Sequence, residues 1–150
     1  MDSARHPLTP DEFHTIYSKV PRLTVEVVVR SEAGVLLTLR SIEPCSGLWH
    51  LPGGTVRFAE PLIDAVRRIA KRELGIEVGA AHALGYIEYP SHYENGLDCP
   101  VGIVFEVDDY RGPVEPNDEA DQVGWFTELP RQMHTEQSDF LRSAVPGRFG

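Results

Sequence analysis

Apolar and polar residues alternate in part along residues 23–30, and this pattern predicts a strand. The two faces are formed by Leu23, Val25, Val27 and Val29 and by Thr24, Glu26 and Val28. The period of two is that of a strand with one face in the core. The turn sequence Glu32-Ala33-Gly34 follows. It predicts a hairpin that joins this strand to a second one at residues 35–40.

Helical patterns occur in three segments of the chain. The first begins at Thr9-Pro10-Asp11-Glu12, which has the form of a capping box with proline at the first helical position, and Pro21 ends it. The second begins at Pro61 and ends at Gly75. A third is expected over about residues 136–143, near the end of the chain.

Further strands are predicted over residues 83–89, 101–107 and 123–126, separated by loops rich in Pro, Asn, Asp and Gly. The short apolar segment before Gly53-Gly54 is interpreted as a strand end followed by a loop with an accessible backbone. Strands around a central helix, with a helix near each end, predict an α+β fold. Its expected form is an α/β/α sandwich with a mixed sheet.

Length and composition limit the possible functions of the protein. A chain of 150 residues without an internal repeat predicts a single domain over residues 1–150. The net charge of −9 argues against a nucleic-acid partner, which requires clustered positive charge. No secretory signal and no apolar run of about 20 residues is present, so we expect a cytoplasmic protein without a membrane partner. Cys45 and Cys99 have no zinc spacing and are expected to be reduced and structural.

Glu73 is the anomaly of the second helix. At about 100° per residue the helix has one broad apolar face, formed by Leu62, Ile63, Ala65, Val66, Ile69, Ala70 and Leu74. Glu73 falls in the middle of this face, where it loses solvation and lies near the negative end of the helix dipole. Either Glu73 is solvated or paired with an arginine, or it binds a metal. A Gly-Gly segment upstream and the acidic run at residues 117–121 favour an oxygen-ligated cation such as Mg²⁺.

From Gly54 to Ile76 the sequence GTVRFAEPLIDAVRRIAKRELGI resembles the Nudix box, G-x5-E-x7-R-E-U-x-E-E-x-G-U, where U is aliphatic. The matching positions are Gly54, Glu60, Arg68, Glu73, Gly75 and Ile76. Ile69 and Arg72 stand where the box has glutamate. The segment GLWHLPGG and the strand of Trp125 also fit, so the resemblance covers roughly residues 20–130. It implies the Nudix fold, a mixed β-sheet flanked by helices.

Of the three glutamates in the R-E-U-x-E-E segment this box keeps the last, Glu73. In this it is similar to the box of the GDP-mannose mannosyl hydrolase branch, in which water attacks the anomeric carbon of a nucleotide sugar. The products are a free sugar and a nucleoside diphosphate. This resemblance implies Mg²⁺, with Mn²⁺ as the alternative, held by the Gly53 carbonyl, Glu73 and Glu119. It also implies that Arg40 pairs with the leaving diphosphate, that Phe13 contacts the nucleotide, and that the protein is a homodimer.

The general base is the main departure from that branch, because its histidine aligns with Ala120. The candidates to replace it are Asp118, Glu119, Asp121 and His92. A histidine titrates near neutral pH and would suit the task. Glu26 is a further candidate, because a carboxylate on the concave side of the sheet would contact water or sugar hydroxyls. The alternative for Glu26 is a solvent-facing charge on an edge strand.

Phe13 and Arg40 each allow a purely structural interpretation as well. From the residues alone, Phe13 would face the core and Arg40 would be a solvent-facing arginine at a strand end. Glu60 and Arg68 are interpreted as a structural pair. The rival functions are a pyrophosphohydrolase, which attacks phosphorus, and a module that binds a nucleotide conjugate without cleaving it.

Overall fold

The computed structural model describes residues 7–41, 45–115 and 122–144. The helices are α1 (Pro10–Tyr17), α2 (Leu62–Leu74), α3 (Pro90–Tyr93) and α4 (Thr135–Ala144). The strands are β1 (Arg22–Val28), β2 (Arg30–Ser31), β3 (Gly34–Leu39), β4 (Trp49–His50), β5 (Gly53–Thr55), β6 (Glu77–Val78), β7 (Ala81–Glu88), β8 (Pro100–Val107), β9 (Tyr110–Arg111) and β10 (Gln122–Phe126). The predicted helices and the later strands are confirmed to within a few residues.

The central sheet has the strand order β5-β1-β8-β7. It is mixed, because β1 and β8 are parallel while β5 and β7 are antiparallel to their neighbours. A second sheet contains β10, β3 and β2, with β4 also paired to β3, and β6 pairs with β9. Helix α2 packs against β1 and β5, and α4 packs against β7. The predicted α+β architecture, a mixed sheet flanked by helices, is confirmed.

The alternation along β1 divides the core into two layers. Val25 and Val27 join the apolar cluster that includes α2, whereas Val28 joins the cluster that includes Leu141 of α4. Glu26 shares the face of Val28, because side chains two apart on a strand point the same way. Strand β1 lies between β5 and β8. The edge-strand interpretation of Glu26 is therefore wrong.

Two local predictions are corrected. The predicted hairpin forms only next to its turn, where Arg30 and Ser31 of β2 pair with β3. The preceding strand, β1, pairs with β5 and β8 instead. Val29 separates the two strands, so the apolar run is divided between two sheets. Gly53 and Gly54 lie in the edge strand β5 and not in a loop, since Gly53 pairs with Glu26 of β1. The absence of side chains does not prevent β5 from forming ladder hydrogen bonds.

The helix ends follow the local sequence. In α1, Thr9 and Glu12 form the predicted capping box, since each side chain accepts a hydrogen bond from the other's backbone N–H. Gly75 ends α2 in the left-handed conformation at a φ of 71°, which glycine adopts without steric cost. Among the described residues, no helix is long and apolar enough to cross a bilayer.

Candidate functional site

A cavity of about 570 Å³ collects most of the described residues that the sequence singled out. Phe13, Glu26, Arg40, Gly53 and His92 all line it. They come from α1, β1, the end of β3, β5 and α3, so the fold brings distant segments to one place. Glu73 does not line the cavity. Asp118, Glu119 and Asp121 lie outside the described residues.

Glu26 is a buried carboxylate on the cavity wall, with 6% of its surface exposed. The Thr24 hydroxyl lies 3.1 Å from Glu26 Oε1 and 3.0 Å from Oε2, and the Tyr89 hydroxyl also bonds to this carboxylate. Burial raises the pKa of Glu26 to about 7, because the charged form loses solvation. Glu26 therefore exchanges a proton near neutral pH.

Gly102 of β8 makes room for this carboxylate. Its neighbour across the ladder is Thr24, and a Cβ atom at position 102 would overlap Glu26 Oε2. A further set of hydrogen bonds fixes Tyr89, since Gln137 Nε2 donates to its hydroxyl over 3.1 Å and Leu51 N donates to Gln137 Oε1 over 2.7 Å. Sequence reasoning missed Gly102 and Gln137, because their roles depend on the strand register and on the packing of α4.

The glycine pair of β5 separates the cavity from helix α2. A Cβ atom at Gly53 would lie 2.8 Å from the Val25 carbonyl oxygen and 3.3 Å from Glu26 Oε1. A Cβ atom at Gly54 would lie 3.1 Å from Ile69 Cδ1 and 3.3 Å from an Arg72 nitrogen. The two glycines therefore let the backbone of β5 approach both Glu26 and α2 closely, as backbone ligation of an ion requires.

Glu73 lies behind this strand, on the apolar face of α2, with 9% of its surface exposed. Arg72 Nη2 is 3.3 Å from Glu73 Oε2, so the arginine partner considered from the sequence is present. The charge of Glu73 also contributes to the raised pKa of Glu26, which means that two buried carboxylates repel each other here. A divalent cation would offset this repulsion. The carboxylate of Glu73 and the backbone carbonyl of Gly53 are oxygen donors of the kind that Mg²⁺ and Mn²⁺ bind.

The two altered positions of the box offer no further ligand. Ile69 is fully buried in the core cluster of α2. Arg72 is a cation beside Glu73. Helix α2 therefore presents one carboxylate, Glu73, at the three positions where the Nudix box has glutamates for metal ligation.

Glu60 and Arg68 form the structural pair that the sequence indicated. Arg68 donates two hydrogen bonds to the two oxygens of Glu60, over 2.8 and 2.9 Å, and a third over 2.9 Å to the Thr55 carbonyl oxygen. The arginine lowers the pKa of Glu60. The pair joins the loop before α2 to the end of β5, and neither residue lines the cavity.

Aromatic and charged residues meet on the α1 side of the cavity. Helix α1 has no buried residue, so Phe13 lines the cavity and does not face the core. Its ring contacts Tyr17 edge-on, with centroids 4.7 Å apart, and the Arg22 guanidinium lies 5.5 Å from its centroid. Arg22 also pairs with Asp98 over 2.6 Å. This surface can hold a flat, apolar group such as a nucleobase.

Arg40 follows β3 directly, and its backbone N–H donates to the Leu48 carbonyl oxygen over 3.1 Å. The side chain lines the cavity and is not a solvent-facing strand end. Its charge contributes to a lowered pKa of His50, for which burial is the larger cause. Arg40 therefore places a fixed positive charge on a cavity that also contains Glu26.

His92 is part of a network on the α3 side of the cavity. Its Nδ1 lies 3.2 Å from Asp98 Oδ1, and its Nε2 lies 3.0 Å from His134 Nε2. The contact with His92 is the main reason that the pKa of Asp98 falls to about 2. Burial, with the charge of His92 as a second cause, lowers the pKa of His134 to about 4. His134 was not indicated by the sequence, where it belongs to no motif.

Comparisons with known proteins agree with this architecture. The family model of the NUDIX domain matches residues 20–143. The low-salt glycan biosynthesis protein Agl8 of Haloferax volcanii is 46% identical over 101 residues, which are 65% of this chain and 65% of that protein. The ADP-ribose pyrophosphatase of Methanocaldococcus jannaschii is 29% identical over 106 residues, 71% of this chain and 62% of that protein. The chain thus spans less than two thirds of the length of both curated relatives.

Among solved structures, a MutT NUDIX hydrolase from Burkholderia pseudomallei has a similar fold. Its TM-score is 0.76 at 28% sequence identity, and the match covers 84% of this chain and 98% of that one. A MutT protein from Methanosarcina mazei gives a TM-score of 0.71 at 23% identity, over 83% of this chain and 92% of that one. The match to the second protein is evidence for the fold alone.

Proposed function

This chain belongs to the NUDIX domain family, and from that premise we propose that it hydrolyses a nucleoside diphosphate sugar. Water attacks the anomeric carbon of the sugar. The new bond joins the water oxygen to that carbon, and the bond from the carbon to the diphosphate oxygen breaks with its electron pair. The products are a free sugar and a nucleoside diphosphate, and the proton of the water passes to a base on the protein.

One observation carries the choice of carbon over phosphorus. Ile69 lies in the core and Arg72 is a cation, so Glu73 is the box carboxylate that α2 retains. Attack at phosphorus uses several carboxylates to hold metals and to activate a metal-bound water. Substitution at carbon needs a cation mainly to neutralise the departing diphosphate, and this task requires fewer ligands.

The cation in this proposal is Mg²⁺ or Mn²⁺, held by the Gly53 carbonyl, Glu73 and Glu119. When bound, it supplies positive charge to the leaving diphosphate. Arg40 adds a planar, bidentate donor for the same phosphates from the cavity wall. Phe13, supported by Tyr17, contacts the nucleobase. In this arrangement the nucleobase lies on the aromatic α1 side of the cavity, and the diphosphate lies at the charged end near β5.

Glu26 is the described carboxylate best placed to accept the proton of the attacking water or to bind a sugar hydroxyl. It lines the cavity, and it is held by Thr24 and Tyr89. Asp118 and Asp121 stay as rival bases. His92 is less suitable in this conformation, because its Nε2 faces His134 and its Nδ1 faces Asp98.

Single-turnover kinetics of Glu26→Gln, His92→Gln, Asp118→Asn and Asp121→Asn identify the base. The variant of the true base loses about 100- to 10,000-fold in rate, whereas a residue that only binds the sugar changes mainly KM. A Glu26→Gln variant with the full chemical rate would remove Glu26 from this role.

The names of the two curated relatives support different substrates. The relative named for glycan biosynthesis favours a nucleotide sugar. The relative named as an ADP-ribose pyrophosphatase favours the second candidate, a pyrophosphohydrolase that releases nucleoside monophosphate.

We also propose a homodimer, on the resemblance to the mannosyl hydrolase branch. Light scattering of the purified chain measures its molecular mass, and a monomer would contradict this part of the proposal.

The function is tested by incubating the purified protein and Mg²⁺ with GDP-mannose, GDP-glucose and ADP-ribose, followed by anion exchange of the products. The expected result is nucleoside diphosphate and free sugar, absent in Glu73→Gln. Nucleoside monophosphate would support the pyrophosphohydrolase instead. Binding without turnover, seen as thermal stabilisation by unchanged ligand, would support a binding module.

A further inference from the structure

We propose that Cys45, His92 and His134 bind a Zn²⁺ ion on the cavity wall, separate from the Mg²⁺ or Mn²⁺ of the proposed hydrolase. One donor atom from each residue lies within 4.8 Å of the other two. We call these three residues the histidine cluster. They come from the loop before β4, from α3 and from the residue before α4.

The partners of the two histidines determine which nitrogens are available for a metal. A carboxylate can only accept, so the hydrogen of His92 Nδ1 points to Asp98 Oδ1, 3.2 Å away. His134 Nδ1 is buried, makes no hydrogen bond to a described residue, and lies 3.6 Å from Glu136 Oε1. A hydrogen on this Nδ1 also faces a carboxylate. In each ring, the nitrogen that is left to bind a cation is therefore Nε2.

These two Nε2 atoms face each other over 3.0 Å. Two lone pairs at this distance repel, so either a hydrogen on one of the two nitrogens or a metal ion must lie between them. A metal in this position would also have the Cys45 sulfur within reach, because that sulfur lies within 4.8 Å of a donor nitrogen of each ring.

The distance between the two Nε2 atoms is close to that in a tetrahedral zinc site. With Zn–N bonds of about 2.0–2.1 Å, two imidazole nitrogens on one ion are about 3.3 Å apart. The observed 3.0 Å is close to this value. One thiolate and two imidazoles are donors that Zn²⁺ prefers to the oxygen ligands that Mg²⁺ requires.

The surroundings also match those of metal-binding histidines, which usually donate their second ring N–H to a carboxylate. Asp98 and Glu136 occupy this position for His92 and His134. Asp98 is fixed by Arg22, and Glu136 accepts hydrogen bonds from the Ser91 backbone N–H and hydroxyl over 2.9 and 2.6 Å. Three protein ligands leave a fourth position for water or for a ligand in the cavity, as in open zinc sites.

The test uses the full chain after removal of metals, in excess Mg²⁺ so that the oxygen-ligand site is filled. Zn²⁺ affinity is measured by competition with a chromophoric chelator, and Co²⁺ is added separately as an absorbing substitute for Zn²⁺. We expect one Zn²⁺ per chain and a near-ultraviolet thiolate-to-cobalt band. Cys45→Ser should abolish the band and weaken Zn²⁺ binding at least tenfold, and His92→Gln should weaken Zn²⁺ binding by a similar factor.

Cys99→Ser is the matched control, because Cys99 is also half-buried but lies outside the cluster. It should keep both the band and the affinity. Thermal melting of the metal-free proteins checks that Cys45→Ser folds like the unaltered chain. Absence of the cobalt band, or equal Zn²⁺ affinity in Cys45→Ser and Cys99→Ser, would overturn the proposal and leave a proton shared by two histidines. Neither result depends on hydrolysis.

Discussion

The two metal-binding regions proposed for this protein differ in their donor atoms. Gly53 and Glu73 offer oxygen to a hard cation beside Glu26, and we call these three residues the carboxylate side. The histidine cluster offers nitrogen and sulfur to a softer one. Glu26, Gly53 and the three cluster residues line one cavity. Because their donors differ, the two ions can be separated by chemistry, and each region can be disturbed while the other is measured.

The largest effect is expected for Glu73→Gln. Loss of the charge that holds the cation should lower kcat/KM for the nucleotide sugar by about 100- to 1,000-fold, the range for removing one group that stabilises developing charge. Zn²⁺ affinity of the histidine cluster should not change.

Glu77→Gln is the control for this variant. Glu77 is exposed, and its partners Lys71 and Arg111 lie on the surface. It should retain full activity. If Glu73→Gln also retained full activity, the pairing of Glu73 with Arg72 would be its whole role, and the carboxylate side would hold no catalytic metal.

Asp98→Asn acts on the histidine cluster. It removes the charge that orients His92, and Zn²⁺ affinity should fall about 10- to 100-fold. Mn²⁺ affinity at the carboxylate side, measured by electron paramagnetic resonance, should stay the same. Asp108→Asn is the matched control, because Asp108 bonds to the exposed His82 in a similar pair, over 2.8 Å. Equal Zn²⁺ affinities in the two variants would contradict the role given to Asp98.

Arg40→Lys tests whether Arg40 binds the leaving diphosphate. Lysine keeps the charge but loses the planar fork, and one charge-assisted hydrogen bond is worth about 1.5 kcal/mol, or roughly tenfold. We therefore expect kcat/KM to fall roughly tenfold, and the affinity for either metal to stay the same. Arg111→Lys, at an exposed position, should have no effect. If Arg40→Lys lowered only the affinity for Zn²⁺, Arg40 would act on the histidine cluster and not on the leaving diphosphate.

The smallest effect is expected for Glu60→Gln, which disturbs the ion pair that joins the loop before α2 to the end of β5. The variant should lose about 1–2 kcal/mol in the free energy of unfolding at pH 7. Arg68 lowers the pKa of Glu60 from its ordinary value of 4.5. The contribution of the pair is therefore present above pH 4.5 and is lost as the pH falls through the lowered pKa.

Urea unfolding at pH 7 and pH 3.5 measures this difference. The gap between Glu60→Gln and the unaltered chain should shrink at the lower pH. The exposed Glu88→Gln serves as the control and should unfold like the unaltered chain at both values. A gap that grows at pH 3.5 would contradict the assigned ion pair.

The place of Glu73 on the apolar face of α2 was predictable from sequence because its signal is local. Glu73 stands out on one helix, and the alternation of β1 places Glu26 opposite Val25 and Val27. Helix ends and caps were predictable for the same reason, since Thr9, Glu12 and Gly75 act within a few residues.

The histidine cluster was not predictable, because its residues are 42 or more positions apart and meet only through tertiary packing. Residues His134 and Gln137 depend on how α4 packs, which no periodicity reveals. Gly102 depends on the register of β1 and β8. The same limit explains the corrected hairpin, since β1 has two neighbours and the turn sequence accounts only for the pairing of β2 with β3.

Hydrolysis of a nucleotide sugar in water labelled with heavy oxygen, followed by mass spectrometry of both products, distinguishes attack at carbon from attack at phosphorus. Attack at the anomeric carbon predicts one labelled oxygen in the free sugar and an unlabelled nucleoside diphosphate. Label in a phosphate group, together with nucleoside monophosphate, would contradict the proposed function and assign this chain to the pyrophosphohydrolases.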